Sequence, residues 1–442
     1  MKNRILFGVP LVLCLFSLLG CNTGIDTGIN TGDFDGISVV QVNAKELQEP
    51  VYDEKDYPAA AAVFHGENDF AFRLSAALAE QKGDNNLVCS PYSVWVPLAA
   101  LVNAADARSK TRLLGALSVS DIDEADINRA ASWMLYNLTN QRDKEYGNDY
   151  YHNPLRIANA IFAGNDVTLK RDFAQTFMDY YRGTTIQVDF GSPEAVKAVN
   201  NWASRNTDGL IPEIIQEFAP NTAAAIANAI YFSDRWAREF EPGNTREDVF
   251  QSPLGETEAF YMLREGDNQT YYEDDKVQAM PLRFLTAGEM YIILPKDGDA
   301  AGLLSSMTSE YFDEIRKNSF FPATGKLLLP RFSFASDVMN LSDTLTSLGV
   351  PLFDEPSLTG LIEGMSVQLS GALHKAVIRV DEKGTTAAAV TVIPGATSPG
   401  PGEPPQPKPF ELICNKPFVF VLCGGSLGGN NLVLFTGIVN QP

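Results

Sequence analysis

The stretch that decides the fold begins at Val380. It reads V-D-E-K-G-T-T-A-A-A-V-T-V-I to Ile393, P-G-A-T-S-P-G-P-G-E-P-P-Q-P-K-P to Pro409, and F-E-L-I-C-N-K-P-F-V-F to Phe420. Residues 384–393 are small or β-branched, with no charge and no proline. Thr, Val and Ile favour extended backbone, and alanine fits where a sheet is crowded. As a strand, Thr385, Ala387, Ala389, Thr391 and Ile393 face one way, and Thr386, Ala388, Val390 and Val392 the other. Neither face carries a group that is costly to bury. The run stops at Pro394, because proline has no N–H for a central ladder. Residues 385–393 can therefore slide between two existing strands. Each inserted residue gains up to about two backbone bonds of roughly 1 kcal/mol net, or on the order of 10–20 kcal/mol before entropy. Composition alone leaves an ordinary hairpin strand followed by a proline-rich linker equally open.

Further motifs surround this stretch. Glu382, Gly384, Thr385, Ala387, Ala388, Ala389 and Thr391 spell E-x-G-T-x-A-A-A-x-T, and N-K-P-F-x-F begins at Asn415. Upstream lie N-D-F-A-F-R-L from Asn68, N-L-V-C-S-P-Y-S from Asn86, and A-N-A-I-F from Ala158. Then come N-x-W-x-x-x-N-T-x-G-x-I from Asn200, N-A-I-Y-F from Asn228 with Trp236 after it, I-I-L-P from Ile292 and L-P-R-F from Leu329. H-K-A-V-I-x-V-x-E-x-G runs from His374. Each piece is weak alone; in this order they are specific, and the chain resembles the serpins, a family of serine protease inhibitors.

That resemblance implies an α+β fold with mixed helices, three β-sheets and an exposed reactive-centre loop at about 382–409. The hinge is then Glu382, Gly384, Thr385, Thr386, Ala387, Ala388 and Ala389. It also implies a gate of Ser90, Ser93, Asn228 and His374 beneath the sheet that opens, with Trp236 where the loop enters. On its own pattern, His374 alternates with apolar residues on a strand, as a satisfied core histidine does. Core packing accounts equally well for Trp236.

The resemblance further implies suicide-substrate inhibition. A serine or cysteine endopeptidase attacks the loop and forms an acyl-enzyme, and the loop then inserts as a strand and carries the protease with it. No bulky, charged or proline residue blocks insertion in 384–393. Family spacing places the cut at Ser398–Pro399, but proline after the cut is poorly accepted. The expected reactive bond moves back to Thr397–Ser398, with Ala396–Thr397 next and Val392–Ile393 third. Residues 399–409 carry six prolines in eleven positions and read as an extended, resistant segment. Small side chains around the bond point to elastase-like or subtilisin-like targets. A non-inhibitory surface binding protein, or a simple protease substrate, is the alternative. The expected partner is the target protease, met by a monomer without cofactor.

Composition bounds the rest. The 442 residues are 45% hydrophobic, enough for a large core. A net charge of −21 disfavours nucleic acid, whose binders need basic patches. Lys2 and Arg4 precede an apolar run over 5–19, which ends in Leu18-Leu19-Gly20-Cys21. The run is short for a membrane span and has the form of a leader outside the fold. Residues 1–20 read as a lipoprotein signal, Cys21 as the lipidated residue, 21–58 as a glycine-rich flexible tether and 59–442 as one domain. The expected location is a bacterial cell envelope, lipid-anchored at the outer membrane or cell surface. Cys89, Cys414 and Cys423 are expected to be free and mostly buried.

A helix is predicted over 67–81, with Phe70, Leu74 and Leu78 on one stripe and Asn68 or Asp69 as its cap. Strands are predicted at 289–295, 327–334, 372–380, 410–423 and 432–439. G-G-S-L-G at 424–428 matches a nucleophile elbow, but no His, Asp or Glu occurs among the fourteen residues after Gly428. It reads as a turn. The histidines (His65, His152 and His374) have no zinc-binding spacing, so no metal site is expected.

Overall fold

Pro58 opens the first helix, and the alanines behind it continue the helical run toward the apolar stripe already read at 70–78. The computed structural model describes residues 9–19, 39–40, 58–139, 155–285, 288–385, 407–427 and 430–442. Helix α1 is Pro58–Lys82, so Asn68 and Asp69 lie well inside it and do not cap it. Asn68 instead ties the helix to a C-terminal strand, donating to Asn431 O at 3.0 Å and accepting from Val433 N at 2.9 Å. The other helices are α2 (Pro91–Val102), α3 (Ala107–Ala116), α4 (Glu124–Thr139), α5 (Arg171–Tyr181), α6 (Pro193–Asn206), α7 (Ala300–Ser306), α8 (Ser309–Lys317) and α9 (Ser342–Ser347).

The strands of the first half are β1 (Val9–Leu19), β2 (Val39–Val40), β3 (Leu87–Cys89), β4 (Leu155–Gly164), β5 (Gly183–Val188) and β6 (Ala224–Phe232). Then follow β7 (Arg246–Ser252), β8 (Gly255–Glu273), β9 (Val277–Arg283), β10 (Glu289–Pro295), β11 (Phe320–Pro330), β12 (Phe332–Ala335) and β13 (Met339–Asn340). The last are β14 (Leu358–Ile362), β15 (Met365–Val380), β16 (Lys408–Ile413), β17 (Phe418–Leu427) and β18 (Asn430–Val439).

One sheet has the order β12-β15-β1-β6-β4-β5-β2, with β13 and β14 also on β15. The other follows β16-β11-β8-β9-β10-β17-β18-β3, with β7 on β8. Strand β8 is long enough to serve two layers. Its first part pairs with β7 and β11, and its last residues, Tyr272 and Glu273, pair with β9. This divides the second assembly in two and gives the three-sheet, mixed α+β architecture.

The sheet around β6 is covered on both faces, as a near-continuous apolar strand requires. Ala224, Ile226, Ile230 and Phe232 join the main core, while Ala225, Ala227, Ala229 and Tyr231 join a smaller one. Helix α6 closes the smaller core, where Trp202 meets Phe162 edge-on at 6.1 Å. Cys89, Cys414 and Cys423 are free, buried thiols.

Two boundaries differ from expectation. The single run read over 410–423 is two strands, β16 and β17, in different layers: β16 pairs with β11 and β17 with β10. Pro417, which cannot donate, lies in the break between them. Gly424 and Gly425, read as part of a turn, instead belong to β17, which runs to Leu427 and pairs antiparallel with β18, while Gly428 lies outside the described residues. A Cβ on Gly424 would meet Leu434 Cδ1 at 2.3 Å and Leu138 Cδ2 at 3.0 Å, so this glycine serves close approach of β18 and α4.

The N-terminal run is the largest departure. Residues 9–19, read as part of a leader outside the fold, form β1 in the unprocessed chain. It lies between β15 and β6 and runs parallel to both. The sequence-level reason is that an uncharged apolar run of this length serves a central strand as well as a leader. Val39 and Val40, assigned to the tether, pair with Ile186 and Thr185 of β5. Among the described residues no helix is long and apolar enough to cross a membrane.

Glu67 is fully buried in α1, and neither carboxylate oxygen has a close hydrogen-bond partner, because Val433 N, which lies near and weakly favours the charge, donates to Asn68 Oδ1; the nearby Tyr92 hydroxyl is buried without a partner. Burial pushes the Glu67 carboxyl well above the usual range. A raised folded value costs nothing below about pH 4.3, where the unfolded carboxyl is also protonated, and costs progressively more above it. Glu67→Gln is therefore expected to raise the melting temperature by an amount that grows as pH rises from 4 to 7. A difference independent of pH, read by calorimetry, would show that the charge is not the cause.

Candidate functional site at the hinge and the gate

Strand β15 ends at Val380, and residues 381–385 are stitched onto the segment that follows β6. Trp236 N donates to Lys383 O and its indole Nε1 to Asp381 O, both at 2.9 Å. Phe240 N donates to Glu382 O at 2.9 Å. Thr385 N donates to Asp234 O at 2.9 Å, and Asp234 N donates to the Thr385 hydroxyl at 2.9 Å. Gly384 has φ +144°, and a Cβ there would lie 2.2 Å from Asp234 O. Only glycine allows this approach. Trp236 is buried, with its ring stacked on Phe284 at 4.5 Å.

Glu382 is held more strongly. Arg331 Nε lies 2.8 and 2.9 Å from its two oxygens, Arg331 Nη2 also donates to it, and the Thr245 hydroxyl donates as well. Burial opposes the charge, but hydrogen bonds from Arg331 and Thr245 outweigh it and hold the carboxyl below the usual range. Together these contacts form a latch where β15 hands the chain to the loop.

Of the gate residues, His374 on β15 and Asn228 on β6 lie lower in the same sheet, and Ser90 and Ser93 lie at the start of α2. His374 is fully buried, and its Nε2 accepts from Ser90 N at 3.2 Å. Ser90 caps α2 by accepting from Ser93 N at 3.4 Å, and the Ser93 hydroxyl donates to Ser90 O at 2.9 Å. Asn228 does not join them. Its Nδ2 donates to Asn159 Oδ1 at 2.7 Å on the neighbouring β4, and Asn159 Nδ2 donates to Tyr181 O at 2.6 Å. The cause is β1: His374 and Asn228 both stand opposite Leu15, one on each side. Two strand spacings of about 4.8 Å exceed hydrogen-bond reach. The structure thus brings together Ser90, Ser93 and His374, and separates Asn228 from them.

Cys21, Thr386, Ala387, Ala388, Ala389, Ala396, Thr397 and Ser398 lie outside the described residues. Sequence reasoning missed Asp234, Thr245, Arg331 and Asn159 as members of this site. Arg331 had a signal, since it is the one charge within the L-P-R-F motif, next to the apolar β11. Asp234 acts through its main-chain groups and Thr245 through its hydroxyl, and only the fold sets either beside the hinge root, which no spacing rule exposes. Among the described residues no cluster of three or more His, Cys, Asp or Glu could hold a metal.

Because the Glu382 carboxyl titrates below its unfolded value, its stabilisation is present above about pH 4.3 and is lost as pH falls through the depressed value. Charge-assisted bonds of this kind contribute about 1.5–3 kcal/mol, less here because the Arg331 side chain is partly exposed. Glu382→Gln is expected to speed amide exchange at Gly384 and Thr385 about five- to thirtyfold at neutral pH, and to matter progressively less as pH falls below about 4.3 toward the depressed value. Unchanged exchange by mass spectrometry would remove Glu382 from the latch.

Comparison with known proteins agrees with this architecture. Residues 65–442 match the family model described as Serpin (serine protease inhibitor). The chain is 29% identical over 388 residues to an uncharacterised serpin-like protein of Thermococcus kodakarensis, covering 86% of each. It is also 29% identical over 388 residues to an alpha-1-antitrypsin of Mus musculus, covering 86% of this chain and 90% of that one. Among solved structures, the thermophilic serpin tengpin in its native state superposes with a TM-score of 0.74 at 25% identity, over 92% of this chain and 100% of that one. Human thyroxine-binding globulin, solved with its hormone, shares the fold with a TM-score of 0.73 at 23% identity, over 87% of this chain and 99% of that one. A family-model match across most of the chain, on a fold with the same mixed helices and sheets, establishes that this protein belongs to the serpin family.

Proposed function

We propose that the protein is an inhibitory serpin that traps a protease as a covalent acyl-enzyme. The observation that carries this reading is the meeting of an insertable run with a place to insert. Residues 385–393 contain nothing costly to bury, and their root at Thr385 is fixed beside the end of β6, next to a position between β15 and β6 that holds a strand. After attack on the loop, the latch opens and the run turns back along β15. Each residue gains main-chain bonds on both sides, and the attached protease is displaced before water completes hydrolysis.

Ala396, Thr397 and Ser398 are small and favour an elastase-like or subtilisin-like enzyme, with Thr397–Ser398 as the reactive bond; papain-like cysteine proteases also accept such side chains. Cys21 carries the lipid that holds the protein at a bacterial envelope, since a net charge of −21 gives no attraction to anionic lipid. It acts as a monomer.

Incubation with pancreatic elastase followed by a denaturing gel tests the inhibitory reading. A stable band at the summed mass is expected, and the nicked protein should melt higher than the intact one. A clipped product alone, with no rise in melting temperature, would make the chain a substrate or a non-inhibitory binding protein. Thr385→Arg, and separately Ala387→Arg further along the run, should shift the product at least tenfold from complex to clipped form. Full complex yield from both variants would end the insertion account.

A further inference from the structure

The hinge and β1 require the same place. Strand β1 pairs with β15 from Val9↔Val367 to Leu18↔Val377, and with β6 from Leu11↔Ala224 to Leu19↔Phe232. Its last residues lie at the end of the sheet where β15 hands over to the latch. Beyond Val380 the chain turns tightly, with Asp381 N donating to Gly384 O at 3.0 Å. A run that re-enters the sheet after such a turn must lie antiparallel to β15, on its free side facing β6. That side is taken by β1 in the parallel sense. One strand's width cannot hold both.

The split gate points the same way. With β1 in place, Asn228 Oδ1 is buried and has no hydrogen-bond partner, and His374 faces Leu15 across the ladder. A buried acceptor without a donor is unfavourable, and closing β6 onto β15 would bring the two polar residues opposite one another. In the sequence, Cys21 follows the last paired residue of β1 by two positions. The bond expected to be cut in maturation therefore separates β1 from the rest of the chain.

We propose that the unprocessed chain is a locked precursor. Residues 9–19 occupy the strand position that the cleaved loop needs, and removal of the segment before Cys21 arms the inhibitor. The lock rests on the inhibitory reading above; the location of β1 does not. The lock has a physical use, because it satisfies the facing edges of β6 and β15 until the protein reaches its destination and so keeps the hinge from inserting early.

Two measurements separate the parts of this claim. The first is disulfide trapping in the full unprocessed chain. Leu13 and Ala372 are directly paired. Neighbouring strands lie about 4.8 Å apart, within the Cα range that a disulfide spans. Leu13→Cys with Ala372→Cys should form that bond under mild oxidation, seen by peptide mapping, while Leu13→Cys alone should not bond elsewhere. Failure to form it removes β1 from the sheet and overturns the proposal.

The second is complex formation with elastase by three proteins: the processed protein purified from membranes, the full chain held unprocessed by Cys21→Ser, and that chain also carrying Leu13→Pro. Proline in mid-strand lacks the ladder N–H and should expel β1. The processed protein should form complex, the unprocessed chain at least tenfold more slowly, and the Leu13→Pro chain at the processed rate. Equal rates for processed and unprocessed chains overturn the lock, as does an inert Leu13→Pro chain that remains folded and monomeric. An inert processed protein overturns the inhibitory reading, and the lock with it, whatever the disulfide shows.

Discussion

The main-chain groups of β6 and β15 that face one another have to be hydrogen-bonded, because they lie in the middle of a sheet covered on both sides. The rest of the molecule is arranged around that demand. Main-chain pairing does not read sequence, and it tolerates either strand direction. The interposed strand in this structure is the N-terminal run, in parallel, and the proposed insertion of the hinge would place one there in reverse. What decides between them is which segment is present and free to move. The same backbone chemistry thus gives the sheet its stability and its capacity to change.

Control over that capacity sits at the top of β15. The hinge root is held by several modest contacts instead of one strong one: the Thr385–Asp234 pair, the Trp236 indole on Asp381, and the Glu382–Arg331–Thr245 cluster. Each is local to the end of β15, where separate contacts of this kind open at lower cost than the packed core. The interior also carries groups that disfavour this arrangement. Glu67 and Asn228 both hold buried oxygens without partners. Such groups cost about 1–3 kcal/mol each, and they narrow the margin by which this conformation is preferred to an alternative one.

The legible parts of the fold were those in which local pattern and tertiary environment agree. The stripe of Phe70, Leu74 and Leu78 is buried in α1, and residues 289–295 form β10 as read. Reading failed where a residue's role is set by a partner distant in sequence. Asn68 has the chemistry of a helix cap but bridges to Asn431 and Val433, because the helix had already begun at Pro58. Gly424 has the chemistry of a turn but provides room for Leu434 and Leu138. At the site, the expectation for the hinge rested on composition alone, and Thr386 to Ala389 lie outside the described residues. The partners of its root, Asp234 and Thr245, were not legible, because only the fold brings that main-chain carbonyl and that hydroxyl to it.

By itself, the sequence determined that 384–393 carries no charge and no proline, a property of the residues that needs no neighbours. It also determined the family, through motifs spread along the whole chain. Only the tertiary structure decided how the central sheet is filled and how the gate is wired. Residues 5–19 are equally suited to a leader and to a strand, and what makes 9–19 a strand here is the unfilled hydrogen-bonding edge of β6 and β15, which exists only once both have folded. That placement alone separates Asn228 from His374, because a distance across a sheet depends on what lies between the strands.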